Sequence, residues 1–190
     1  MKKRLIAGFS ILIFSLLLQE FSLFPHAGKA EVPPYEPSKK LQSEETLADQ
    51  TLFLVTRVVD GDTIVVLQNG ISDKIRLIGV DTPESVDPRR AVECFGTEAN
   101  AFTKSLIENK MVRLDADPTQ GDRDKYGRLL RYVYDKNISI NEKIIAEGYG
   151  HEYTYRLPYY YQIEFMDAEK RARETQKGLW ALGVCATKKL

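Results

Sequence analysis

The chain has 190 residues, with 27 basic and 27 acidic side chains, so its formal net charge is zero. A basic field over the whole molecule is therefore excluded as the means of attracting a polyanion, and nucleic-acid binding would depend on a local patch or a bound cation. The two histidines, His26 and His151, are too few for a zinc site built from several histidines, and most histidine-based triads lack their parts.

Residues 1–30 have the layout of a secretory signal peptide. Basic residues at positions 2–4 precede an apolar stretch over residues 5–18, and small residues lead up to Ala30. The apolar stretch is about 14 residues long, shorter than the roughly 20 needed to span a bilayer. We expect cleavage after Ala30, a secreted product and a mature net charge of about −3. The alternative is a retained signal that anchors the chain at the cell envelope.

The rest of the chain divides by composition. Residues 31–50 contain three prolines and scattered charges, which predicts a disordered tether. The hydrophobic pattern is then continuous over residues 51–182, which is enough for one packed domain, and residues 183–190 form a C-terminal tail.

The domain begins with strand patterns and continues with mixed elements. Asn69 and Gly70 predict a hairpin turn, since both tolerate positive φ. Ser139 and Glu142 have the spacing of a capping box at a helix start. The predicted strands cover residues 52–59, 63–67, 75–80, 112–115 and 129–134, and the predicted helices cover residues 96–109, 139–148 and 161–176. Five strands and three helices indicate an α+β fold with a small closed barrel; a sandwich and an SH3-like barrel are the alternatives.

Two acidic turns follow strands of this pattern. Asp62 comes just after the first strand and Asp81 just after the third, so a hairpin can bring both to one end of the sheet. Two or three oxygen ligands would favour a hard cation, Ca²⁺ or Mg²⁺, and would leave coordination positions for water and a phosphate. The alternative is that both are ordinary turn residues.

Arg76 lies in an apolar run between the two turns. Unbroken alternation would place it on the same face as Ile78 and Val80, where an unpaired guanidinium is costly. It therefore needs an anion. One interpretation is a salt bridge to Asp62 or Glu84; the other is a planar fork that binds a phosphate.

Several separated segments resemble the thermonuclease, or staphylococcal-nuclease-like, family. The resemblance covers roughly residues 52–181, and its motifs lie at residues 58–63, 76–84, 96–99, 124–130 and 178–180. It implies an OB-fold barrel of five strands with three helices. It also implies a Ca²⁺-dependent endonuclease that cleaves DNA and RNA with little sequence specificity and leaves 3′-phosphate ends.

The resemblance also implies roles for individual residues. Asp62 and Asp81 would bind the metal, with the backbone carbonyl of Thr82 as a third ligand. Arg76 and Arg128 would hold the scissile phosphate. Glu84 would orient or deprotonate the attacking water.

Four more residues align with family positions that contact the nucleotide: Lys125, Tyr126, Tyr153 and Tyr155. Aromatic rings can cover a base with little sequence preference, although packing or surface roles are the alternative for each tyrosine. The loop over residues 117–123 departs from the family pattern in length and acidity, so the groove is least predictable there.

Two cysteines, Cys94 and Cys185, lie 91 positions apart, and in an exported chain they are candidates for one disulfide; two free thiols are the alternative. We expect a monomer whose partner is its nucleic-acid substrate, without a stable protein partner. Contact with a membrane is expected only if the signal is retained. The rival function is an OB-fold binding module that has lost its catalytic groups, and the presence of all five charged site residues favours the enzyme.

Overall fold

The computed structural model describes residues 51–89 and 91–185. The predicted signal peptide, the tether and the last five residues of the tail lie outside the described residues. The strands are β1 (Leu52–Asp60), β2 (Thr63–Gln68), β3 (Ile71–Leu77), β4 (Val80–Asp81), β5 (Met111–Asp115), β6 (Leu129–Asp135), β7 (Ile138–Ser139) and β8 (His151–Glu152). The helices are α1 (Gly96–Ile107), α2 (Ile140–Ala146) and α3 (Gln162–Glu174), and a 3-10 turn covers Gly178–Trp180.

Five of these strands close into a barrel. Antiparallel pairs join β2 to β3, β1 to β2, β1 to β5 and β5 to β6. The parallel pairing of β3 with β6, with Arg76 opposite Leu130, closes the ring. The predicted five-stranded OB-fold barrel with three helices is confirmed. Because the sheet closes on itself, the sandwich alternative is excluded.

The hairpin between β2 and β3 turns where the sequence predicts it. Asn69 and Gly70 have φ angles of 50° and 80°, which lie in the left-handed region that these two residue types tolerate. The register then pairs Thr63 with Arg76. The hairpin thus brings the start of β2, next to Asp62, beside the end of β3.

The face assigned to Arg76 is a point where the sequence prediction is wrong. Ile75 and Leu77 are the fully buried residues of β3, so Arg76 projects from the opposite side of the strand. The strand ends at Leu77 and the chain turns through Gly79, whose φ is 73°. Alternation therefore does not continue into residues 78–80, and the positions after the turn follow a separate short strand.

All three helices contribute buried apolar residues to the core. The hydroxyl of Ser139 accepts a hydrogen bond from the backbone N–H of Glu142 (3.2 Å), which caps α2 as the capping-box spacing indicates. The core is formed by barrel and helix residues that are at most 1% exposed: Val55, Ile64, Val66, Ile75, Leu77, Val80, Ile107, Val112, Val133, Ile140, Ile144, Ile145, Phe165 and Ala168. Within the described ranges, none of the helices has the length and apolar character needed to cross a membrane.

Candidate active site

Asp62 lies in the tight turn between β1 and β2 and is only 7% exposed. The hydroxyl of Thr63 donates to its Oδ1 (2.9 Å), and the backbone N–H of Thr82 donates to its Oδ2 (3.2 Å). These hydrogen bonds hold the buried carboxylate in one orientation and offset part of its desolvation cost.

Arg76 joins the two acidic turns. Its Nη2 lies 3.1 Å from Oδ2 of Asp62 and 2.9 Å from Oδ1 of Asp81. Its Nη1 donates to the backbone carbonyls of Leu77 (3.0 Å) and Val80. The two carboxylates therefore converge on one point, at the end of the barrel where the turn positions predicted them. The predicted salt bridge from Arg76 forms with Asp62.

The local charge of this cluster is negative, because two carboxylates face one guanidinium. Partial burial raises the pKa of Asp81; Arg76 opposes this shift and the negative charge of Asp62 adds to it. About half of the Asp81 side chain remains exposed to solvent. A cation can therefore reach the cluster from solvent without displacing core residues.

Arg128 reaches the same cluster from the start of β6. Its Nε lies 2.7 Å from Oδ2 of Asp124, and its Nη1 donates to the hydroxyl of Thr63 (3.2 Å). The Thr63 hydroxyl in turn donates to Asp62. A continuous chain of polar contacts therefore joins Arg128 to Asp62, and through Asp62 to Arg76.

Glu84 lies on the loop that follows β4, three positions after Asp81, and the ion pairs of the cluster in the described residues do not include it. Its Oε1 accepts hydrogen bonds from the backbone N–H groups of Val86 (2.8 Å) and Asp87 (3.0 Å). Slight burial would raise the pKa of Glu84, but these hydrogen bonds and one involving Asp60 outweigh burial and hold that pKa below its usual range. The carboxylate is thus ionised at neutral pH, as a water-orienting group requires.

The segment around Glu84 is tied to the barrel by a residue that sequence reasoning missed. Asp60, at the end of β1, is 8% exposed, and its Oδ1 accepts from the hydroxyl of Ser85 (2.6 Å) and the N–H of Gly61 (3.0 Å). Burial raises the pKa of Asp60 to about 6, although the bond from Ser85 opposes this shift. Asp60 belongs to the same Asp-Gly-Asp-Thr motif as Asp62, and that proximity was the available signal.

The donor set fits a hard cation. Asp62 and Asp81 supply carboxylate oxygens, and Oγ1 of Thr82 is buried without a hydrogen-bond partner in the part of the chain that the structure describes. Oxygen donors select Ca²⁺ or Mg²⁺ over softer metals. Within the described ranges, no group of three or more His, Cys, Asp or Glu side chains is placed to hold a metal ion. An ion bound by the two carboxylates of this cluster would keep ligand positions open to water or substrate.

A cleft of about 610 Å³ opens next to the cluster. It contains all four predicted nucleotide-contacting residues together with both site arginines and Asp81: Arg76, Asp81, Lys125, Tyr126, Arg128, Tyr153 and Tyr155. The residues Tyr126, Tyr153 and Tyr155 are 71%, 43% and 59% exposed, respectively, so they lie at the surface and not in the core. The guanidinium of Arg128 lies 5.3 Å from the centre of the Tyr126 ring.

The departing loop over residues 117–123 forms part of the cleft wall through Thr119, Gln120, Gly121 and Arg123. Gln120 donates to the backbone carbonyl of Pro158 (3.0 Å), and Arg123 forms an ion pair with Asp73 (3.0 Å). The loop is therefore attached to the segment that follows Tyr155 and to the β2–β3 hairpin.

Cys94 and Cys185 are joined by a disulfide bond. Their sulfur atoms are 2.13 Å apart, at bonding distance, and their Cα atoms are 5.8 Å apart. The bond attaches the C-terminal segment to the residues just before α1.

Comparison with known proteins agrees with the chemistry that the geometry of the site suggests. A family model described as staphylococcal nuclease homologue matches residues 74–182. The thermonuclease of Staphylococcus hyicus is 41% identical over 134 residues, which cover 70% of this chain and 78% of that protein. The thermonuclease of Staphylococcus intermedius is 41% identical over 128 residues, which cover 67% of this chain and 75% of that protein. Endonuclease YncB of Bacillus subtilis is 36% identical over 142 residues, or 74% and 65% of the two chains.

The family model begins after Asp62, and its residues include Arg76, Asp81, Arg128 and all three helices. These matches confirm the resemblance that the sequence motifs indicated. The chain therefore belongs to the staphylococcal-nuclease-like family of nucleases.

Proposed function

We propose that this nuclease is a Ca²⁺-dependent endonuclease that hydrolyses phosphodiester bonds of DNA and RNA with little sequence specificity and leaves 3′-phosphate ends. The observation that carries the proposal is the convergence of Asp62 and Asp81 on Arg76, with Arg128 joined to the same cluster through Thr63. The proposal is also supported by the names of the related proteins, which are thermonucleases and an endonuclease.

The two arginines act on the charge that hydrolysis creates. Attack of water on a phosphodiester increases negative charge on the phosphoryl oxygens. Arg76 and Arg128 lie at the wall of one cleft, and the planar donor set of a guanidinium matches phosphate oxygens. To bind a phosphate, Arg76 would exchange part of its present contacts with Asp62 and Asp81. The two arginines bind the scissile phosphate and stabilise the transition state more than the ground state.

Asp62 and Asp81 would hold the metal, with Thr82 beside them. A bound Ca²⁺ would supply Lewis-acid polarisation of the phosphate and charge neutralisation. The negative local charge and the all-oxygen donor set support this assignment, and the half-exposed Asp81 carboxylate is accessible to an entering cation.

Glu84 orients the attacking water. Its carboxylate is ionised because its pKa is held below the usual range, so it can accept a hydrogen bond from water. From the family resemblance, we expect hydrolysis to break the bond between phosphorus and the 5′ oxygen. The phosphate then remains on the 3′ oxygen.

Low sequence specificity follows from the type of contact that the cleft offers. Tyr126, Tyr153 and Tyr155 present exposed rings, on which any base can stack. Lys125 lies 5.0 Å from the Tyr126 ring and carries a charge that suits a backbone phosphate. Neither kind of contact reads base edges.

We further propose that the protein is secreted as a monomer after removal of residues 1–30, with nucleic acid as its only partner. The support is the signal-like layout of the first 30 residues. Retention at the envelope is the alternative, and N-terminal sequencing of the protein recovered from culture medium and from cells distinguishes the two.

An assay with single-stranded DNA, RNA and duplex DNA tests the activity. We expect cleavage of all three with Ca²⁺, fastest on single strands, and none in chelator. Arg76→Ala should be almost inactive in cleavage. Arg171→Ala, which replaces an exposed arginine on α3, should cleave as fast as the wild type. The products should be extended by a polymerase only after phosphatase treatment. Cleavage that persists in chelator would contradict the metal site, and ends that need no phosphatase would contradict the 3′-phosphate.

A further inference from the structure

The peptide group of Glu84 is held on both sides by one residue. The backbone N–H of Glu84 donates to Oε2 of Glu93 (3.0 Å), and the backbone N–H of Glu93 donates to the carbonyl oxygen of Glu84 (2.9 Å). This reciprocal pair spans nine positions and closes the loop that separates β4 from α1.

The residues after Glu93 fix its own position. The backbone N–H of Gly96 donates to the carbonyl of Glu93 (3.0 Å) as α1 begins. A Cβ at Gly96 would lie 2.6 Å from the carbonyl oxygen of Glu84, so the start of α1 packs directly against the Glu84 peptide. Cys94, next to Glu93, is bonded to Cys185. Glu93 is thus anchored at both its backbone and its neighbour.

The loop next to Glu84 is fixed at its other side by the barrel. Ser85 donates to Asp60 (2.6 Å), and the side-chain amide of Asn100 on α1 donates to Ser85 (3.3 Å). Glu84 therefore sits between two fixed points, and its backbone has little freedom to turn. Small displacements of a catalytic group lower the rate strongly, so a residue that holds this backbone can affect catalysis without touching the substrate.

We propose that Glu93 is a positioning residue for Glu84, and that it acts by accepting the hydrogen bond from the Glu84 N–H. This inference rests on the proposed role of Glu84 in orienting water. Glu93 itself is exposed, so its carboxylate contributes little to packing. Its contribution is to fix the backbone from which the Glu84 side chain extends.

Kinetics of five variants test the inference at saturating Ca²⁺ on a short single-stranded DNA. Glu93→Ala should lower kcat by roughly tenfold to a hundredfold and leave KM and the melting temperature close to wild type. Glu93→Gln keeps an acceptor oxygen and should restore kcat. Glu174→Ala, an exposed glutamate at the end of α3, is the matched control and should leave kcat unchanged. Glu84→Gln, alone and combined with Glu93→Ala, measures the coupling between the two residues.

The double variant gives the readout that a merely structural role would not move. If Glu93 acts through Glu84, Glu93→Ala should add little to the defect of Glu84→Gln. Equal losses for Glu93→Ala and Glu93→Gln would overturn the inference, since they would indicate an effect of charge. Full activity of Glu93→Ala, or fully additive defects in the double variant, would overturn it too while leaving the proposed function intact. Full activity of Glu84→Gln would instead remove the proposed role of Glu84 and the inference with it.

Discussion

Asp124 holds Arg128 at two points, four positions apart in the chain. The backbone N–H of Arg128 donates to Oδ1 of Asp124 (3.0 Å), and its Nε donates to Oδ2 (2.7 Å). The side chain of Arg128 is only 24% exposed, so this carboxylate fixes a partly buried guanidinium whose Nη groups remain directed to Thr63 and the cleft. Asp124 therefore fixes the orientation of Arg128, which we propose as the second phosphate-binding arginine.

Replacing Asp124 should lower activity through Arg128. We expect Asp124→Ala to reduce kcat by roughly tenfold to a hundredfold, because Arg128 loses its orienting partner. Asp122→Ala is the control, since Asp122 pairs with a different arginine, Arg131 of β6. Steady-state kinetics on single-stranded DNA measure both variants. A normal kcat for Asp124→Ala, or an equal loss in the control, would contradict the role of Asp124.

Arg76 should matter for stability as well as for catalysis. Arg76→Ala should lower the rate by about 10³-fold to 10⁵-fold, as expected for an arginine on transition-state charge. It also leaves the buried carboxylate of Asp62 without its charged partner, so we expect the free energy of unfolding to fall by about 1–3 kcal/mol.

Adding Asp62→Asn to Arg76→Ala separates the two effects of the arginine. The double variant should recover stability, because the unpaired charge is removed, but it should stay inactive. Urea unfolding and the nuclease assay measure the two properties side by side. A double variant that is less stable than Arg76→Ala would show that the ion pair is not the source of the loss.

Asp117 should make stability depend on pH. Burial would raise the pKa of Asp117, but hydrogen bonds from the Tyr132 hydroxyl, the Tyr160 N–H and Thr119 outweigh burial and hold it below its usual range. A carboxyl with a depressed pKa in the folded state stabilises the fold above its unfolded pKa of about 4 and loses that contribution as the pH falls through the folded value.

Asp117→Asn should therefore lose more stability near pH 7 than near pH 3, as measured by urea unfolding at both pH values. Asp167→Asn, an exposed residue on α3, is the control and should change stability little at either pH. An equal loss for Asp117→Asn at the two pH values would contradict the network.

The Cys94–Cys185 bond should stabilise the folded protein. Its loop spans 91 positions, for which the chain-entropy model gives about 4.6 kcal/mol, and native disulfides typically contribute about 2–4 kcal/mol. We expect Cys94→Ser with Cys185→Ser to lower the free energy of unfolding by about this amount. Reductant should bring the wild type to the level of the double variant and leave the double variant unchanged. A wild type whose urea midpoint ignores reductant would contradict a stabilising disulfide.

Local signals in the sequence predicted the elements well. Asn69 with Gly70 gave the hairpin and Ser139 with Glu142 gave the start of α2, because turn and cap chemistry depend on neighbouring residues only. Closure of the barrel depends on the pairing of β3 with β6, more than fifty positions apart. No periodicity within either strand specifies that pairing, so the strand count suggested a closed barrel but left a sandwich and an SH3-like barrel as alternatives, and the family resemblance indicated the OB-fold.

The charged cluster was predictable by residue type but not by direction. Alternation placed Arg76 on the wrong face because the break after Leu77, at the positive-φ Gly79, could not be seen in an apolar run. Asp124 lies four positions before Arg128, a visible signal that was not used. The role of Glu93 had no sequence signal, because its partner is a backbone N–H nine positions away.

The most direct test of the central claim is a crystal structure of the protein grown in saturating Ca²⁺, with the ion located by its anomalous signal. The account predicts one ion about 2.3–2.6 Å from carboxylate oxygens of Asp62 and Asp81 and from the Thr82 carbonyl, facing Arg76 and Arg128 across the cleft. An ion bound elsewhere, or an empty cluster in crystals whose dissolved protein cleaves DNA with Ca²⁺, would contradict it.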